Sequence, residues 1–158
     1  MLQTVALGVT VDVPLRELVT WCRSGEGRRC FPGARNIRGD GNGLFFEVSI
    51  AAPGAEPALV TVDEYLKAHG RQSGGQWFET SQVWTWPNRQ AATSWHRYEF
   101  RGFGPRTELD FTWRYLLPGL AGSQVANAMR FDRSIERAAE IYIERLALRA
   151  EESLAAVA

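Results

Sequence analysis

His96 and Tyr98 are the residues of this chain whose types and spacing best suit chemistry. They lie two apart in a segment that reads as a strand, so both side chains point to one face. An imidazole beside a phenol in an apolar setting can pass a proton near neutral pH and steady a developing enolate. Alternation extends the same face across neighbouring strands. Phe78, Thr80, Gln82 and Trp84 precede it, Phe111, Trp113 and Tyr115 follow it, and Leu44, Phe46 and Val48 add to it. The opposite faces carry Glu79, Arg97, Glu99, Glu108, Asp110 and Arg114 and read as solvent-facing, with Arg97 and Asp110 placed to pair across the ladder.

The inner wall is mixed: large aromatics alternate with Thr80, Gln82, His96 and Tyr98, whose polar ends need partners. Ligand pockets have this composition. The ligand-binding candidates are therefore Phe46, Phe78, Thr80, Gln82, Trp84, His96, Tyr98, Phe111, Trp113 and Tyr115, with His96 and Tyr98 also the catalytic candidates. The competing reading is a solid core in which the polar ends bond one another and His96 is structural. Glu64 joins the wall if Val60, Val62 and Leu66 face inward; otherwise Asp63 and Tyr65 take its place.

Other chemistry is poorly represented. Lys+Arg and Asp+Glu are equal at 18 each, which argues against nucleic-acid or anionic-membrane partners. Arg28-Arg29 beside a turn reads as a solvated pair. Cys22 and Cys30 lack metal-ligand spacing, and the two histidines are isolated, so no metal and no cofactor is expected. The two cysteines read as reduced, partly buried thiols. The glycines at 39, 41 and 43 precede a strand rather than a helix, so they form a turn and not a phosphate loop. No G-x-S-x-G and no H-E-x-x-H occurs. With no signal peptide and no spanning segment read from the sequence, a cytoplasmic location without stable membrane insertion is expected.

The elements that must position this wall follow from periodicity. Gln3–Val11 reads as a strand; Asp12 is the expected N-cap of a short helix carrying Leu15, Leu18, Val19 and Cys22. Six strands follow: Ala34–Arg38, Leu44–Ile50, Ala58–Leu66, Gln76–Trp86, Ala91–Phe100 and Thr107–Leu116, with His69–Gly75 and Pro87–Arg89 as turns. Pro118–Gly122 closes the last strand. From Ser123 to Glu152 the chain has no proline or glycine, and apolar residues recur at helical period, giving a helix of about 45 Å. Arg133/Glu136, Arg137/Glu140 and Arg149/Glu152 mark its solvent face, with a homodimer contact the minor alternative.

Val11-Asp12-Val13-Pro14 running into Leu15 and Val19-Thr20-Trp21, the turn Cys30-Phe31-Pro32-Gly33-Ala34, and Leu117-Pro118-Gly119-Leu120-Ala121-Gly122 before the long helix resemble the START/Bet v 1-like (SRPBCC) superfamily, including its polyketide cyclase/dehydrase-like members. The resemblance spans nearly all of residues 1–158 as one domain. It implies an α+β helix-grip fold: a seven-stranded curved antiparallel sheet around a long C-terminal helix, with short helices between strands 1 and 2. It implies a hydrophobic or amphipathic ligand (lipid, polyketide or aromatic metabolite) between sheet and helix, with Gly102–Arg106, Cys30–Gly33 and the start of the long helix at the mouth. A cyclase or aromatase using His96 is the catalytic alternative, and a filled, non-catalytic interaction protein the third. Several such cyclases use a pocket arginine, and no arginine alternates inward on these strands.

Overall fold

A computed structural model of the chain describes residues 2–40, 42–50, 57–87, 89, 91–116 and 124–155, with side chains described except at 50 and 124–132. The elements are β1 (Leu2–Val11), α1 (Leu15–Arg23), α2 (Gly25–Arg28), β2 (Ala34–Gly39), β3 (Gly43–Ile50), β4 (Ala58–Gln72), β5 (Gly75–Thr85), β6 (Ala91–Phe103), β7 (Arg106–Leu116) and α3 (Gln124–Ala155). The strands make one antiparallel sheet in the order β1-β7-β6-β5-β4-β3-β2. β2 to β7 form the expected meander, and β1 closes against β7. This is the helix-grip arrangement: the curved sheet holds α3, which packs on β1 and α1.

α3 buries Ile135, Ala139, Tyr142, Ile143, Leu146 and Ala150 along one stripe, while Arg133, Arg137, Glu140, Arg149 and Glu152 face solvent. Of the three expected charge pairs along that face, Arg137 and Glu140 close at 3.0 Å. The side chains of Val125 and Ala128, and the Pro118–Gly122 segment, lie outside the described residues.

Three local expectations are corrected. β4 does not end at Leu66 but runs to Gln72, because a bulge at Lys67 carries the pairing onward to Gln72 opposite Gly75. The turn then needs only Ser73 and Gly74, and Gly74 supplies the left-handed φ of 71°. Asp12 is not the cap of α1. Pro14 occupies that position with no side-chain bond, and Asp12 instead pairs with Arg106 at 2.8 Å. On the outer face Arg97 lies opposite Thr112, and Asp110 opposite Glu99, so the anticipated Arg97–Asp110 pair does not form. Arg97 bonds Glu99 at 2.6 Å and stacks 4.3 Å above Trp77, while Glu79 gathers Arg114 at 2.7 Å and Lys67 and Arg97 at 3.5 Å.

Candidate functional site

Strand register sets the interior in rows. Glu64 lies opposite Gln82, Gln82 opposite Ser94, and Ser94 opposite Tyr115. The next row is Thr80, His96 and Trp113; the one beyond it is Phe78, Tyr98 and Phe111. All ten ligand-binding candidates point inward, and none is more than 6% exposed. Val60 and Val62 are buried, so Glu64 faces inward with them and Tyr65 is exposed.

Most of the polar ends in these rows are used within the protein. Glu64 accepts hydrogen bonds from Thr80 Oγ1 at 3.0 Å and Gln82 Nε2 at 2.6 Å. Gln82 Oε1 accepts from Ser94 Oγ at 2.8 Å, and Ser94 Oγ accepts from Trp84 Nε1 at 2.8 Å. Tyr98 and Tyr142 share a hydroxyl–hydroxyl bond of 2.8 Å.

The cation that balances Glu64 is Arg28, and this corrects the expectation of a solvated arginine. Arg28 is 2% exposed. α2 is a single turn folded directly on α1, and its Gly27 lies so close that an added Cβ would stand 3.0 Å from Cys22 O. That approach turns Arg28 under α1 and into the interior. Nε donates to Glu64, while Nη1 donates to Cys22 O at 2.7 Å and to Tyr142 Oη at 3.2 Å. Cys22 O is one of the carbonyls that the last turn of α1 leaves without a helical partner. Arg28 thus binds α1, β4 and α3 together.

Burial pushes the Glu64 carboxyl upward, but Arg28, then His96, and the bonds from Arg28 and Gln82 outweigh it and hold it below its ordinary value. Burial likewise raises Tyr98 and Tyr142, so both remain neutral phenols. Burial lowers His96 to about 3; Glu64 opposes that shift and Arg28 adds to it. Although His96 Nδ1 lies 3.7 Å from a Glu64 oxygen, the imidazole is neutral and the separation is too long for a hydrogen bond. The two are neighbours without being an ion pair.

Among the described residues, three buried side-chain polar atoms have no partner: His96 Nδ1, His96 Nε2 and Trp113 Nε1. Their rings pack edge to face with centroids 4.9 Å apart. Around them stand Trp84, stacked at 6.0 Å from Trp113, and Phe31, whose ring reaches Trp113 at 5.5 Å and Tyr142 at 5.4 Å. Phe31 was expected at a mouth; it is 5% exposed and fills interior space instead. The Gly102–Arg106 turn, also expected there, lies about 20 Å along β7 from Trp113 at 3.3 Å per residue, where Gly102 meets Leu15.

Cys22 and Cys30 are buried and not bonded to each other, and burial raises both thiols, Cys30 to about 11. Among the described residues there is no group of three or more metal-ligating side chains, and no helix is long and apolar enough to cross a membrane.

No protein-family model and no curated protein sequence matches the chain. Solved structures do. The Zhui aromatase/cyclase from Streptomyces sp. R1128 superposes with a TM-score of 0.64 at 14% identity, covering 98% of this chain and 96% of its own. A START superfamily protein from Mycobacterium smegmatis gives 0.59 at 11%, covering 98% and 99%. A truncated norcoclaurine synthase from Thalictrum flavum gives 0.59 at 11%, covering 93% and 92%. Element order, sheet topology and these superpositions agree: the chain has the helix-grip fold of the START/Bet v 1-like superfamily.

Proposed function

We propose that the protein binds a neutral, aromatic or amphipathic small molecule between the sheet and α3, against Phe31, Trp84, His96, Trp113 and Tyr115. The observation that carries this reading is the pair of buried, unpartnered polar groups on an otherwise apolar wall, the His96 nitrogens and Trp113 Nε1. Leaving such atoms unsatisfied costs about 1–3 kcal/mol each. The rings around them close over all three, so in this reading those rings give way to a ligand whose one hydroxyl offers a donor to His96 and an acceptor to Trp113. Thr80, Gln82 and Tyr98 belonged to the ligand set expected from sequence. Their polar ends are engaged with Glu64, Ser94 and Tyr142 and serve in this reading as the floor beneath the ligand.

Catalysis by His96 is the less supported reading. A general base works best with a pKa near the working pH, and His96 is held far lower. Arg28 is the inward arginine that a cyclase reading asks for, but Glu64 already neutralises it.

Calorimetric titration with 2-naphthol and naphthalene tests the binding reading. 2-Naphthol should bind about tenfold more tightly than naphthalene, the worth of roughly 1.4 kcal/mol of hydrogen bonding. His96→Phe and Trp113→Phe should each shrink that ratio while leaving naphthalene affinity near its starting value. Equal affinities for the two compounds in the parent protein would refute the assignment.

A further inference from the structure

At the end of the sheet far from Trp113, α1 and the β4–β5 hairpin enclose an open groove of about 690 Å³. Gln76, which lines it, is eight residues along β5 from Trp84, a span of about 26 Å at 3.3 Å per residue, so the groove lies at the Phe78 end of the wall, apart from the Trp84, His96 and Trp113 rings. The size falls within the range of small-molecule sites.

The lining is unusual in its charge. Arg16 and Arg23 come from α1, and Arg71 from the end of β4, where it pairs with Gln76 in the ladder. Among the described residues no carboxylate lines the groove. Many arginines elsewhere are matched, among them Arg28 with Glu64, Arg35 with Glu47, Arg97 with Glu99, Arg101 with Glu108, Arg106 with Asp12 and Arg114 with Glu79. Arg38, Arg89, Arg133, Arg145 and Arg149 are not matched among the described residues, but none of these lines the groove. Arg16, Arg23 and Arg71 have no acidic partner within 4.0 Å among the described residues. Arg23 is half-buried with its guanidinium 6.0 Å above the Phe78 ring, a contact that restricts the head group without neutralising it.

Each guanidinium presents a planar fork that fits two oxygens of a phosphate or carboxylate. Three such forks call for two or three negative charges in one place. A carboxylate brings one; a diphosphate or phosphate monoester brings more, with several oxygens to share among the forks. Thr20, Ser24 and Gln76 add neutral donors at the same surface. We propose that this groove is a second binding site, for a ligand carrying a phosphate ester or diphosphate group.

The test uses the full chain, with inorganic diphosphate followed by calorimetry and phosphatidylcholine vesicles containing phosphatidic acid followed by co-sedimentation. Saturable diphosphate binding, weakened about fivefold by Arg16→Gln and again by Arg71→Gln as fits about 1 kcal/mol per exposed contact, supports the site and places the phosphate on a free molecule. Vesicle binding without diphosphate binding, abolished by Arg16→Gln/Arg71→Gln, supports the same site with the phosphate carried on a lipid. Neither ligand binding, or equal weakening by the Arg137→Gln control on the solvent face of α3, overturns the proposal. Titration with 2-naphthol, which has no charge, should be unchanged in the groove variants, so the two sites fail or stand separately.

Discussion

Arg28→Ala is expected to lower the stability of the fold by about 3–5 kcal/mol, because it leaves the Glu64 carboxylate buried without its cation. Glu64→Gln should cost a comparable amount by stranding the guanidinium in the same place. Both partners are 2% exposed, so solvent does not screen the loss. The network shows why the damage would spread. Glu64 also accepts from Thr80 and Gln82, and Arg28 holds Cys22 O and the Tyr142 hydroxyl, so either change disturbs α1, β4, β5 and α3. The double variant Arg28→Met/Glu64→Gln removes both charges and keeps an amide oxygen for Gln82. It should recover most of the loss, since a buried pair taken out together is often close to neutral. Urea denaturation of the two single variants and the double variant measures this. Single-variant costs below about 1 kcal/mol would mean that the pair behaves as a surface contact.

The second large effect is on acid stability. His96 titrates near 6.5 in an unfolded chain and at about 3 in the fold. Between those values the unfolded state binds one proton more, so stability rises with pH there and falls on acidification. The contribution is complete above about pH 6.5 and declines by about 1.4 kcal/mol per unit below it, or about 2 kcal/mol by pH 5. Glu64 adds a further loss at lower pH: its folded value is depressed, so its contribution is complete above its ordinary value and disappears as pH falls through the depressed one. Urea midpoints at pH 7 and pH 5 should therefore separate strongly for the parent protein and much less for His96→Phe. Parallel behaviour of the two proteins would show that His96 is not the group responsible.

The inward face was legible in the sequence for a physical reason. Strand side chains alternate with period two, and β5, β6 and β7 pair without a bulge, so every residue assigned to the wall from Phe78 to Tyr115 faces inward. Where a bulge does occur, at Lys67, the reading stopped the strand six residues early. The long helix was equally plain, since nothing in that stretch breaks it.

Arg28 was missed because a one-turn helix has no period to read, and two arginines beside glycines look like surface. A signal did exist. Glu64 alternates with Val60 and Val62 on a buried face, and a carboxylate there requires a cation or several donors. No strand supplied an inward arginine, so the partner had to come from the long helix or from the segment between β1 and β2. Phe31 was misplaced for a related reason: the Cys30–Gly33 turn is irregular, and whether its ring lies at a rim or between Trp84, Trp113 and Tyr142 depends on tertiary packing alone. That His96 and Trp113 are left without partners, while Thr80, Gln82 and Tyr98 are not, follows from distances that no periodicity encodes.

The binding proposal meets its most direct test in nuclear magnetic resonance of the nitrogen-labelled chain, with the Trp113 indole assigned by its loss in Trp113→Phe and the His96 ring nitrogens by their loss in His96→Phe. Saturation with 2-naphthol should move the Trp113 indole N–H downfield and shift one His96 ring nitrogen, with the Trp77 and Trp95 signals of the outer face unmoved. Saturation that left Trp113 and His96 where they began would contradict the account.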